Sequence, residues 1–285
     1  MPTATQAWPS AQSTSFLDGA LNRKRRVETS AGLRAGCQVP KVIKFFTREQ
    51  LTEEVDLRLR AYDDEIRKAV GDGYSWPIRM RDWELWETMD AFERHEGPKQ
   101  LVLDTGSYNT YLPLWLARRS GRTIASDLLG RRRRTNILRR VGLLPTKTTE
   151  APYGEWSKLM GNGAPNLDLR SIDLTRIPFA DGTVDCITSV SVIEHIPDPG
   201  TALKEMFRCL RPGGLLLLTT DCAPDPVPYA KGSRRFSGDE LLALMRPYGD
   251  LNGCAQPSFE RRNWCYGRNE PIVTAFIRIL KPLTR

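Results

Sequence analysis

Apolar positions change their period along this chain, and the changes mark out its elements. From Thr47 to Val70, Leu51, Val55, Leu59, Tyr62 and Ile66 recur at three- and four-residue steps, the spacing of one helical face. Thr47 and Gln50 form a capping-box pattern, and Gly71 and Gly73 end the segment. A second helix is expected from Asp82 to about Arg94, with Trp83, Trp86, Met89 and Phe92 as packing residues. Gly97-Pro98 breaks the chain, and the period then shortens. Leu101-Val102-Leu103 reads as a strand closed by Asp104, followed by a turn over 105–109. Helical spacing returns at Leu112, Trp115 and Leu116 and stops at Gly121. A second strand, Thr123 to Ser126, ends at Asp127.

The second half repeats this rhythm. Residues 144–165, rich in Pro, Gly and Thr, read as a loop or insertion. Strands are expected at Leu167–Ile172, ending at Asp173, and at Cys186–Ser191. Asp198-Pro199 should start a helix, with Asp as N-cap and Pro at the first position, and Leu203, Met206, Phe207 and Leu210 as its buried stripe. Arg211-Pro212-Gly213-Gly214 stops it. Leu215 to Thr220 is nearly all apolar, as a central strand covered on both faces would be. A helix from Ser237 to Met245 and a strand from Ile272 to Ile279 complete the pattern. Alternating strands and helices predict an α/β fold with a mostly parallel, doubly wound sheet. Residues 1–40 read as a disordered tail, 41–96 as a helical N-terminal cap, and 97–285 as the main domain. The tryptophans of the cap could line a substrate pocket, but packing on the core is the simpler reading.

Composition narrows the classes. A chain of 285 residues, 40% hydrophobic and 27% charged, is ordinary globular material. No apolar run reaches the roughly 18 to 20 residues of a membrane span. The N-terminus lacks the apolar core of a secretory signal. It is poor in acids and ends in Arg23-Lys24-Arg25-Arg26, so an organelle transit peptide stands as the alternative to a plain tail. None of the six cysteines forms a C-x-x-C pair, which suits a reducing, cytoplasmic location without a zinc site. Only two histidines are present, too few for a His-rich metal site. The net charge of +8 favours anionic partners without choosing among them.

The stretch from Gln100 to Asp127 has the layout of a nucleotide-binding βαβ unit: strand, Gly-containing turn, helix, strand, and an acidic residue about 20 positions on. Asp127 could accept hydrogen bonds from both hydroxyls of a ribose. The turn has only Gly106, and Tyr108 stands where a dinucleotide fold needs its second glycine. That argues against NAD or FAD and less against a cofactor without phosphate.

Four blocks then carry a resemblance. VLDTG, the Ser126-Asp127 pair, DLTRIPFADGTVDCITSVSVIEHIPDP and LRPGGLLLLTT resemble, in the right order, the motifs of the class I S-adenosylmethionine (SAM)-dependent methyltransferases. The likeness runs from Gln100 to about Leu280. It implies a seven-stranded Rossmann-like sheet with SAM as cofactor. It implies that Asp104, Gly106 and Ser107 shape the turn under the methionine moiety and that Asp127 holds the ribose. By the same resemblance Asp173 accepts from the adenine amine with Leu174 beside the ring, and Ser191 and Val192 border the methyl group. Tyr108 and Thr110 depart from the family's usual glycine and small residue. Relatives with E-x-x-E-H after this strand hold a divalent metal; Ser191 replaces the first Glu here, so no metal is expected.

Methyl transfer from a sulfonium needs alignment and a deprotonated acceptor. His195 is the candidate general base, with Glu194 orienting the imidazole or acting in its place. A loop histidine bonded to backbone is the simpler alternative. The run Arg131 to Arg134 could bind an anionic group or be a solvated helix face. Arg261-Arg262-Asn263-Trp264-Cys265-Tyr266 could stack on a substrate, with packing as the alternative. The leading expectation is a methyltransferase acting on a hydroxyl or amine of a small molecule, such as a sugar, lipid or secondary metabolite, anionic ones included. An RNA methyltransferase and a non-catalytic SAM-binding subunit are the alternatives, and a nicotinamide oxidoreductase is a remote one.

Overall fold

Seven strands of the computed structural model form one sheet, and strand order explains where a ligand can enter. The structure describes residues 42–70, 82–107, 110–127, 164–251, 254–264 and 270–283. The strands are β1 (Val42–Phe45), β2 (Leu101–Thr105), β3 (Arg122–Asp127), β4 (Leu167–Ser171), β5 (Val184–Val190), β6 (Leu210–Cys222) and β9 (Val273–Leu280), while β7 (Val227–Ala230) and β8 (Ser233–Arg235) pair as a separate hairpin. Their order is β1-β9-β6-β5-β2-β3-β4. The pairs among β2 to β6 are parallel, and β9 runs antiparallel to both β6 and β1. The chain winds outward from β2 toward β4 and from β5 toward β6. The switch point therefore falls between β2 and β5, where such sheets open a crevice beyond their carboxyl ends.

Burial follows the period of each segment. Every residue of β5 is buried, and Leu215, Leu216, Leu217 and Leu218 of β6 are fully so, as a strand covered on both faces requires. The helices are α1 (Glu53–Val70), α2 (Asp82–Arg94), α3 (Leu112–Ala117), α4 (Pro199–Cys209) and α5 (Gly238–Met245). Asp198 caps α4 by accepting from the Thr201 amide at 3.0 Å, and Ser237 caps α5 by accepting from Glu240. In α1, Val55, Leu59, Tyr62 and Ile66 form the buried stripe.

The N-terminal segment departs from the expected helical cap. Residues 42–45 are a strand of the main sheet, paired antiparallel with β9. The Thr47–Gln50 box closes a 3₁₀ turn rather than starting the long helix; Gln50 Oε1 accepts from the Thr47 amide at 2.9 Å. Helix α2 lies against the sheet. Trp83, Met89 and Phe92 are buried in the core, with Phe46 edge-on to Trp83 and Phe92 edge-on to Trp115, at centroid distances of 5.5 and 5.8 Å. The aromatic stripe thus packs.

Candidate active site

The turn after β2 is built from three serine and aspartate contacts. Ser107 Oγ donates to the Asp104 carbonyl at 2.9 Å and accepts from the Ser126 amide at 3.1 Å, while the Ser107 amide donates to the Ser126 carbonyl at 3.0 Å. These bonds tie the turn to the end of β3. Gly106 has φ of 62°, and a Cβ there would lie 2.4 Å from Val192 Cγ2. Only glycine satisfies both the left-handed backbone and the close approach of the loop after β5.

Above this turn lies a cavity of about 320 Å³ lined in part by Gly106, Asp127, Asp173, Leu174, Val192 and His195. Six of the ten residues named from the sequence therefore meet in one cleft. Asp127 ends β3 and Asp173 follows the neighbouring β4 by two residues, the two segments joined where the Ile172 amide donates to the Asp127 carbonyl. Asp173 Oδ1 accepts from the amide and hydroxyl of Thr175 at 2.9 and 2.7 Å, which fixes its carboxylate at the rim. Ile172, Leu174 and Ile196 add apolar wall, and Tyr229 closes one side. No Lys or Arg lines the cavity among the described residues, whereas Asp127, Asp173 and Asp198 do. The described lining is therefore acidic and apolar.

The other four residues lie beneath the surface of the cleft. Asp104 is buried, accepts from Thr188 Oγ1, and is pushed up to about 7 by desolvation. Ser107 is buried within the turn. Ser191 is a non-glycine residue with φ of 50°, held by two bonds from its amide to Thr219 and by its hydroxyl, which donates to Glu84 Oε2 at 2.7 Å. Thr219 Oγ1 donates to the same oxygen. Helix α2 thus clamps the strained end of β5, next to Val192 in the cleft. Nothing in the sequence singled out Glu84.

Glu194 does not orient the imidazole. Its Oε2 accepts from Thr220 Oγ1 at 2.9 Å, and burial, reinforced by the nearby Asp221, pushes its carboxyl up to about 8. The 3₁₀ turn Ile193–His195 points this side chain into the protein and the next one outward. The ring partner of His195 is the Gly232 carbonyl, 3.0 Å from Nδ1. Ser191 faces Glu84, and among the described residues no group of three or more His, Cys, Asp and Glu side chains is arranged to hold a metal.

Two other candidates fall away from the cleft or outside the description. Arg262 pairs with Glu49 and Glu260, buried Asn263 accepts from the Arg48 amide, and Trp264 donates to the Phe259 carbonyl, so this stretch is bound into the fold. Tyr108, Arg131 to Arg134, Cys265 and Tyr266 lie outside the described residues. No helix among the described residues is long and apolar enough to cross a membrane.

Comparison with known proteins agrees with the motifs and the fold. Residues 150–218 match the model of a methyltransferase domain family. That stretch is thus similar to a methyltransferase domain, in line with the motifs that carry the resemblance to SAM-dependent enzymes. A probable SAM-dependent methyltransferase of Mycolicibacterium smegmatis is 32% identical over 94 residues, covering 30% of this chain and 35% of that protein. An uncharacterized chloroplastic methyltransferase of Arabidopsis thaliana is 32% identical over 109 residues, 35% of this chain and 29% of that protein. The chain thus spans about a third of the length of these curated relatives. Among solved structures, the [4+2]-cyclase SpnF is 15% identical with a TM-score of 0.48, covering 86% of this chain and all of that one, a likeness too distant to speak to activity.

Proposed function

We propose that this protein transfers the methyl group of SAM to a hydroxyl or amine of a small molecule. The observation that carries the reading is the cleft, where two strand-end carboxylates, Asp127 and Asp173, flank a glycine turn with no cationic side chain among the described lining residues. Asp127 would accept from the ribose hydroxyls, Asp173 from the adenine amine, and Leu174 and Ile172 would pack on the base. The turn at Gly106 would leave room for the methionine part, and Val192 would border the transferred methyl. When bound, SAM supplies an activated methyl on a sulfonium; the chain supplies alignment and a proton acceptor. His195 is the side chain for that task, exposed at the edge of the cleft.

A small acceptor suits a cleft walled by Ile196, Pro197 and Tyr229. An anionic acceptor would draw its cations from outside this lining. Calorimetric titration with S-adenosylhomocysteine (SAH), followed by incubation with SAM and extracts of the source organism, tests the reading. Saturable binding and a product heavier by one methylene are expected. Absence of any SAH binding would overturn the reading, and binding without a methylated product would favour a SAM-binding subunit.

A further inference from the structure

The hairpin of β7 (Val227–Ala230) and β8 (Ser233–Arg235) belongs to none of the motifs, yet it grips the loop that carries His195. Its turn residues, Lys231 and Gly232, have φ of 52° and 92°, both positive, as tight two-residue hairpins favour. Three polar contacts join it to residues 195–197. His195 Nδ1 lies 3.0 Å from the Gly232 carbonyl, the Tyr229 hydroxyl donates to the His195 carbonyl at 3.3 Å, and Arg234 Nη2 donates to the Pro197 carbonyl at 2.6 Å. The Arg234 guanidinium also lies over the rings of Tyr229 and Phe236, at 5.5 and 5.7 Å. The base of the hairpin is anchored to the end of β6, where the Ala223 amide donates to the Phe236 carbonyl at 2.9 Å.

We propose that this hairpin is a positioning device for His195, with the Gly232 carbonyl holding the imidazole in the tautomer whose proton sits on Nδ1. A carbonyl oxygen only accepts, so the Nδ1 contact requires a proton on that nitrogen. In the neutral ring, Nε2 then carries the lone pair. This is the state a general base needs before transfer, and a free imidazole would populate it only in part. The role rests on the methyl-transfer reading of the cleft. There the acceptor's O–H or N–H proton passes to Nε2, the new bond to carbon forms, and the carbon–sulfur electron pair returns to sulfur. Gly232 and Tyr229 are positioning residues; His195 alone would touch the reacting atoms.

The chain has two histidines, so ¹⁵N-labelled protein gives two imidazole patterns, and His195→Asn assigns them by difference. Spectra are read at about pH 8, where free imidazole is neutral. The wild type is expected to show His195 with Nδ1 protonated and Nε2 as the bare nitrogen. Gly232→Val adds a side chain that meets nothing within 4 Å, so it acts only through its disfavoured φ of +92°. It should shift the tautomer ratio about fivefold toward Nε2–H, the value of one hydrogen bond. Gly232→Asn, which tolerates positive φ better, should restore much of the wild-type ratio. SAH affinity, measured by calorimetry on the same proteins, should stay within about twofold, because the hairpin turn does not hold the cofactor. A wild-type His195 protonated on Nε2, or a Gly232→Val ratio equal to the wild type, would overturn the proposal. A wild type that shows the expected tautomer but binds no SAH would overturn the methyl-transfer reading, and the base role with it, while leaving the hairpin contact in place.

Discussion

The two halves of the sheet each have acidic residues near their carboxyl ends and use them in opposite ways. On the side of β3 and β4, Asp127 and Asp173 line the cleft at the strand ends. On the side of β5 and β6, Glu84 and Glu194 are buried behind it, among the hydroxyls of Ser191, Thr219 and Thr220. The first pair is open to the cleft. The second group holds backbone, and the strained Ser191 is what it holds. A carboxylate near the carboxyl edge of the sheet is therefore no marker of contact by itself; what decides is whether it lies open to the cleft or is buried behind it. Here α2 packs against β5, β6 and β9, and its Glu84 reaches Ser191 and Thr219.

Raising the pH separates the halves most strongly. The folded values of Asp104 and Glu194 are raised to about 7 and about 8 from ordinary values of 3.8 and 4.5. Both groups favour the folded state when protonated. Their contribution is complete below the unfolded values and is lost as pH rises through about 7 and 8. Unfolding free energy in urea should fall between about pH 5 and pH 8 and level off above that. Asp104→Asn, which keeps an acceptor for Thr188, should flatten the lower part of that fall. A flat profile in the wild type would mean these carboxyls are not buried as described.

Gly106→Val strikes the point where the halves touch. A left-handed backbone and a clash with Val192 should together cost about 3 kcal/mol of SAH binding, seen by calorimetry as roughly a hundredfold loss. Glu84→Ala removes the acceptor of two buried hydroxyls and should cost about 2 kcal/mol of stability in urea unfolding. Glu84→Gln, which keeps an oxygen in place, should recover most of it. If the alanine variant is as stable as the wild type, the clamp on Ser191 carries no weight.

Much of this arrangement could be read from the chain. The acids that close short apolar runs, Asp104, Asp127 and Asp173, do end β2, β3 or the segment just after β4. The Asp198-Pro199 pair and Ser237 start helices, because local capping chemistry needs no tertiary context. Most of the misses come from contacts between residues far apart in sequence. Strand β1 is only four residues long, and its partner β9 lies more than two hundred residues away. Glu84 sits in an aromatic helix, and its two hydroxyl partners lie on β6 and just after β5. The hairpin hides in V-P-Y-A-K-G-S-R-R, where a proline masks the strand and Lys-Gly is a weak turn signal. The direction of Glu194 was set by Thr220, which the loop pattern could not disclose.

The central claim is that Asp127 and Asp173 grip one nucleoside in a shared cleft. Calorimetric titration of SAH into the wild type, Asp127→Ala and Asp173→Ala tests it most directly. The account predicts saturable binding to the wild type, weakened by about 1–3 kcal/mol in each variant through lost hydrogen bonds to a carboxylate. Equal affinity in all three proteins, or none in the wild type, would contradict it.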